Sequence, residues 1–444
     1  MGDAIYFTTD GSAVIKRVPA TGGVPEEVAN SADLDGVAQF WALAPLPRGR
    51  GLLVATSSGM PISGDYRDIR VFNPETGEWR LLLPNAGYYA RYAASGHIVF
   101  ARAGGLRAVA LDLDTLEIGG TPVPVVDGVR VDSQLGYAQF ALSDTGTLAF
   151  VKGGDVGVGI PTWIGRDGTS EPLPMPAQTY GMFTLSPDGR RLAVHVGGPA
   201  DQVWIYDVAT GRGTRLTTSG NNGWPLWVRD GEQILYVSKD GEAWRLELRS
   251  SDGADAPRVV HEARERIVAT TWSPHHDVAL FTESAHVVFF VSLDTGDVAQ
   301  PVSVAGGQEW GHRFSPDGRW LAYSSRRDGP FEIFVRPYPG LDREIRISVG
   351  GGTEPIWSAR GDELVYHNGN RWMASAVSTA KGFSVAPPRE LFRTPFVDSL
   401  AVSWDMGPGD RVLVVKPTAP PSDPTEIRIV QHWFAELQRL VPRP

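Results

Sequence analysis

The sequence predicts an all-β chain folded as a β-propeller of four-stranded antiparallel blades, and three observations lead there. The first is composition: 51 Gly and 34 Pro among 444 residues interrupt helices, while 14 Trp, 12 Tyr and 17 Phe suit pleated surfaces. The second is recurrence. "FSPDGRWLAYSSRRDGPFEIFVRPYPG" from Phe314 is rewritten as "LSPDGRRLAVHVGGPADQVWIYDVATG" from Leu185, "WVRDGEQILYVSKDGEAWRLELRSSDG" from Trp227, "WSPHHDVALFTESAHVVFFVSLDTG" from Trp272 and "WSARGDELVYHNGNRWMASAVS" from Trp357. Turn anchors near residues 186, 228, 273, 315, 358 and 407 give a period of about 42 to 49, the length of a propeller blade. The third is the order inside each copy, which runs through four strands and the turns between them.

Each element follows from its residues. An aromatic-containing strand comes first, then the Ser-Pro-Asp-Gly turn. There Pro316 presets its backbone angle, Asp317 can bond neighbouring amides and Gly318 accepts a left-handed conformation. The alternating strand Trp320-Leu321-Ala322-Tyr323 puts apolar groups on both faces, a third strand runs from Phe331 to Arg336, and a fourth lies around Glu344 to Ile347. A lone blade of this kind exposes two apolar faces, and stacking blades about an axis covers both.

Six regular units span 176–434. Upstream, in 1–175, the pattern loosens to spacings near 50, as in "FALSDTGTLAFVKGG" from Phe140, "RYAASGHIVFARAGG" from Arg91 and "ALAPLPRGRGLLVATSSG" from Ala42. The first residues, "AIYFTTDGSAVIKRVPATGGVPEEV", read as the outer three strands of a blade without its innermost one. Nine units and a partial one fit either two rings, one of them six-bladed, or a single large ring. In the tail 431–444, Trp433, Leu437 and Leu440/Val441 recur at helical spacing, which predicts a short helix packed on the last blade, or else a docking helix for a partner.

The net charge of -10 is spread along the chain without blocks, which argues against nucleic acid as a partner. There is no cysteine, so disulfides, thiolate nucleophiles and cysteine metal sites are excluded. No apolar run is long enough to span a bilayer and no export signal opens the chain, so the sequence as written reads as cytoplasmic, without membrane insertion.

With the Ser-Pro-Asp-Gly turn before an alternating strand, the chain resembles the TolB-like, WD-repeat-related propellers of bacteria along nearly its whole length. In "GGLRAVALDLDTLEIGGTPVPVVDGVRVD", "GGTEPIWSARGDELVY" and "TEIRIVQHWFAELQRL" it is similar to propeller regions attached to bacterial serine/threonine protein kinases. The kinase Gly-rich, His-Arg-Asp and Asp-Phe-Gly motifs are absent from these residues, so the resemblance does not carry kinase activity over. It implies a binding or sensing module, extracytoplasmic when joined to a membrane kinase. The missing inner strand fits a chain trimmed from something longer.

No Gly-x-Ser-x-Gly elbow and no Walker loop occurs. His275-His276-Asp277 replaces the usual turn, and adjacent histidines on an extended segment diverge, so a shared metal would need a ligand from another blade; no metal and no cofactor is expected. The loops entering each innermost strand should ring the mouth of the central channel, and they are aromatic and polar, the residue types of recognition surfaces. They nominate Tyr89, Arg91, Tyr137, Gln139, Tyr180, Trp224, Arg266, Glu309, Trp310, His312 and Glu354 as ligand-binding residues, none of them catalytic. The function expected is a non-catalytic module that binds a protein, a peptide or a small ligand at the channel mouth. A lyase or lactonase-like propeller enzyme is the alternative, and a structural spacer the third possibility.

Overall fold

The computed structural model describes residues 4–8, 13–35, 37–57, 64–241, 243–273, 275–283, 287–299, 308–327, 329–341, 343–379, 382–398, 402–418 and 426–443. The Asp10-Gly11 turn of the first unit, Pro274 of the histidine turn and Gly306-Gly307 before the fourth regular unit lie outside them. The chain is a β-propeller: among the described residues forty strands pair into antiparallel sheets, most of them four-stranded, and one α-helix lies near the C-terminus. No helix among the described residues is long and apolar enough to cross a membrane.

By contacts the chain divides into one unit of residues 159–196 and 200–416 and another of 1–158, 197–199 and 417–444. The sequence reading placed the change of pattern at 175/176; by contact it falls seventeen residues earlier, because two strands upstream of Pro176 belong with the six regular repeats. Gly159–Ile164 and Ser170–Pro172 pair with Arg411–Pro417 and Trp404–Gly407 in one four-stranded sheet, in the order 170–172, 159–164, 411–417, 404–407. The sixth blade of this larger unit is therefore completed by strands from both its ends. The other five begin with the innermost strands Tyr180–Leu185, Asn221–Val228, Ile267–Ser273, Gln308–Phe314 and Thr353–Trp357.

Successive blades are stapled at their inner strands. Trp227 Nε1 donates to the Thr184 carbonyl at 2.9 Å, Trp357 Nε1 to Arg313 at 3.1 Å and Trp404 Nε1 to Glu354 at 3.1 Å. Each indole buries its rings between two sheets while its one donor finds a backbone acceptor in the preceding blade. The ring is closed by Asp405 of the sixth blade, whose carboxylate accepts the Leu185 amide of the first at 2.7 Å.

The recurrent turn rests on serine as much as on Asp-Gly. Ser315 Oγ donates to Asp317 at 2.6 Å and accepts the Trp320 amide at 3.0 Å, while Gly318, at φ 67°, donates its amide to the Ser315 carbonyl. Ser186 repeats the arrangement with Asp188 and Arg191, and Ser358 repeats it with its aspartate two places later, at Asp362. A Cβ on Gly318 would meet His275 of the neighbouring blade at 2.9 Å, so the glycine also makes room for the next turn.

In the smaller unit, three four- or three-stranded sheets run from the N-terminus: 4–30, 39–83 and 88–127. The first has three strands, Ala4–Phe7, Val14–Pro19 and Glu26–Asn30. Phe140–Leu142 and Leu148–Val151 form a further sheet with Ile427–Val430 from the far end of the sequence. The helix Trp433–Leu440 sets Trp433 and Leu437 into a core with Tyr88, Val99, Phe140 and Phe150, so its apolar face packs within this unit.

One device was not foreseen. Seven innermost strands carry a one-residue bulge at the same place, following Trp41, Tyr88, Tyr180, Gly223, Ala269, Trp310 and Thr353. In five of them the next residue has positive φ: Ala42, Tyr89, Trp224, Gly311 and Glu354. A bulge re-aims the side chains around it, and here it turns the start of each inner strand toward the loop end of its blade.

Candidate functional site

In the larger unit, the bulges of the fourth and fifth blades flank a cleft of about 520 Å³. Its walls include Glu309 and Trp310 from the fourth inner strand, Phe331 from the turn entering a later strand of that blade, Thr353 and Glu354 from the fifth, His367 and Asn368 beyond them, and Asp398. Three of the eleven nominated residues, Glu309, Trp310 and Glu354, thus share one wall-to-wall site, and a fourth, His312, supports it from behind.

Glu309 is only 3% exposed. Its Oε2 accepts from Arg336 Nη2 at 2.6 Å and from His312 Nε2 at 3.2 Å. Burial alone would raise the carboxyl pKa, but the His312 hydrogen bond and the Arg336 charge outweigh it and hold the pKa below the ordinary value, so Glu309 is an anion. Burial pushes His312 down, which keeps the imidazole neutral and donating from Nε2. The other carboxylate oxygen, Oε1, has no hydrogen-bond partner among the described residues. A buried anionic oxygen without a donor is costly, and this one is itself enclosed, so it adds negative charge behind the cleft and not an open contact in it.

Glu354 is equally enclosed. Its backbone amide donates to Ser324 Oγ at 2.8 Å, and its Oε2 accepts the Ser403 amide at 2.9 Å and lies 3.5 Å from His367 Nε2. Burial acts to lower the His367 pKa; the adjacent Glu354 carboxylate overcomes it and leaves the pKa raised. Asp398, which accepts from Ser403 Oγ at 3.1 Å, brings a third carboxylate to the same end of the cleft.

The remaining nominated residues have other surroundings. In the larger unit, Tyr180 is buried with its hydroxyl donating to the Pro176 carbonyl at 2.6 Å, a packing role. Trp224 is buried beneath Arg266, whose guanidinium carbon lies 5.1 Å from the ring centre, and beside His195, which is 3.2 Å from Asp201. In the smaller unit, Arg91 covers the face of Tyr89 at 3.9 Å, and Tyr89 meets Phe140 edge-on. Tyr137 is exposed on a two-residue strand, and Gln139 is tied by its backbone to Arg130 and Val151. In the histidine turn, His275 Nε2 meets the Pro316 carbonyl at 3.1 Å, His276 lies edge-on to Tyr338 and Asp277 pairs with Arg229 at 2.7 Å. Among the described residues no group of three or more His, Asp and Glu has the arrangement of a metal site.

Sequence reasoning missed Arg336, His367 and Asp398. The Asn368-Gly369 turn does place His367 at a strand end, but its partner Glu354 lies on another strand and nothing local pairs them. A second cleft, of about 780 Å³ in the smaller unit, mixes Asp65 and Asp155 with Arg130 and Lys152 and so presents no single charge preference.

No family model matches the chain. Among solved structures it is similar to a putative TolB from Agrobacterium tumefaciens, at 18% identity and TM-score 0.47, covering 60% of this chain and 99% of that one. TolB from Acinetobacter baumannii matches at 15% identity and TM-score 0.37 over 80% of this chain and 81% of its own. The periplasmic gluconolactonase PpgL of Pseudomonas aeruginosa matches at 17% and 0.38 over 74% of this chain and 96% of its own. These structures do not bear on the resemblance to kinase-attached propellers. The propeller architecture is read from the sheets of the chain itself, and with respect to solved structures the chain is similar to TolB propellers.

Proposed function

We propose that the chain is a non-catalytic binding module that recognises a peptide or protein segment, or a small ligand of similar size, in the cleft between the fourth and fifth blades of its larger unit. One observation carries the reading: Trp310 and Phe331 line a cleft whose edge carries the exposed carboxylate of Asp398. Aromatic faces beside an exposed charged group are what a recognition pocket needs, area from the rings and orientation from the polar group. The cleft is held by strands on either side, so a ligand would meet a preformed surface.

Selection of displayed random heptapeptides on the full chain tests this. Peptides enriched by the wild-type chain and lost on Trp310→Ala are expected; no enrichment, or enrichment indifferent to Trp310→Ala, overturns the reading. The competing reading, an enzyme of lyase or lactonase type, draws on the Glu354–His367 pair as an acid and base within reach of one cleft. Lactone turnover abolished by His367→Gln would favour it.

A further inference from the structure

Three of the propeller's inner-strand aromatics at or next to the bulge are already covered by a guanidinium of the chain itself. Arg67 lies 3.8 Å over Trp41, Arg91 lies 3.9 Å over Tyr89 and Arg266 lies 5.1 Å over Trp224. Each pairing places a cation on the negative face of an aromatic ring, worth more as water is excluded. Trp310 occupies the same place in its strand as Trp41, the last paired residue before the bulge. Among the described residues no Arg or Lys lies over it. Arg336, the partner of Glu309, is 2% exposed, with its guanidinium turned to Glu309 Oε2 and stacked on Tyr323 at 4.4 Å.

The surroundings of Trp310 add a sign to this open face. Three carboxylates, Glu309, Glu354 and Asp398, line the cleft, and His367 is the only basic side chain among its lining residues. An anion entering would meet the negative charge of all three, and a neutral group would bring them no counter-charge. A cation would stack on Trp310 and pair with Asp398 at the cleft edge. We propose that the ligand of this cleft presents a guanidinium or primary ammonium group, seated over Trp310 where the other strands seat their own arginines, and paired with the exposed carboxylate of Asp398.

This rests on the binding reading above and narrows it to a chemical class. The test is calorimetric titration of the full chain with acetyl-Gly-Arg-Gly-amide and with its citrulline counterpart, which has nearly the same shape and no charge. The arginine peptide should bind at least about tenfold more tightly, and Asp398→Asn and Glu354→Gln should each narrow that ratio several-fold. Asp398→Asn alters a side chain at the cleft edge and serves if Glu354→Gln compromises folding. Equal binding of the two peptides, or a ratio unchanged in Asp398→Asn, overturns the proposal. If neither peptide binds while the heptapeptide selection yields ligands lost on Trp310→Ala, the cationic class is wrong and the binding reading stands. If the selection also yields none, both fall.

Discussion

Trp41 and Trp310 sit at the same step of the same bulge, one in the smaller unit and one in the larger, and they differ in what lies over the ring. Arg67 is fully buried over Trp41, donating to the Gln134 carbonyl at 3.0 Å, and closes that site with the chain's own charge. At Trp310 the nearby Arg336 is instead spent on Glu309, and the aromatic face opens into a cleft. The repeat thus supplies an architectural position, an aromatic beside a backbone bulge, and the local choice of charge decides whether that position is interior packing or a pocket. Repetition of a motif is therefore poor evidence that every copy does the same work.

The comparison is broken or sharpened most strongly at Arg336. Replacing it by Met strands Glu309 as a buried anion, and the unfolding free energy from urea titration should fall by about 3–5 kcal/mol. A loss under about 1 kcal/mol would mean that Glu309 is not held as the buried partner of a charge. Next in size is Arg67→Met, which uncovers Trp41. It should cost about 2 kcal/mol in the same measurement, the worth of a desolvated cation over an aromatic ring. No loss would show that the Trp41 site is not closed by its arginine.

The smallest effect is in pH. His367 faces Glu354 and Asp398, and its pKa is raised above the ordinary 6.5. Its stabilisation is therefore complete below that value and is lost as pH rises through the folded pKa. Glu309 and His312, both lowered, act in the opposite window, losing their contribution as pH falls through their folded values. The melting temperature should decline above neutral pH in the wild-type chain and decline less in His367→Gln. Identical profiles would remove His367 as a charged partner of Glu354.

The blade was legible in sequence because its turn chemistry is local: Ser315, Pro316, Asp317 and Gly318 each act within five residues of one another. The closing of the larger unit was not, since Gly159–Ile164 pairs with strands some 250 residues away and "GIPTWIGRDGTS" reads as any other hairpin. The bulges were hidden for another reason. Their left-handed residues include Tyr89, Trp224 and Glu354, and none of these announces positive φ as glycine does. Of the site, Glu309, Trp310 and Glu354 could be nominated from their place ahead of an inner strand. Arg336 and His367 lie within strands that read as core, in "EIFVRP" and "ELVYHN", and their pairing with the two glutamates exists only once the strands are assembled.

The most direct measurement uses the chain labelled with 15N in its tryptophan indoles, each resonance assigned by substitution to Phe, and titrated with acetyl-Gly-Arg-Gly-amide. The Trp310 indole signal should move with ligand concentration, while those of Trp41 and Trp224, covered by Arg67 and Arg266, stay in place. A stationary Trp310, or movement of Trp41 and Trp224 in its stead, would contradict the account.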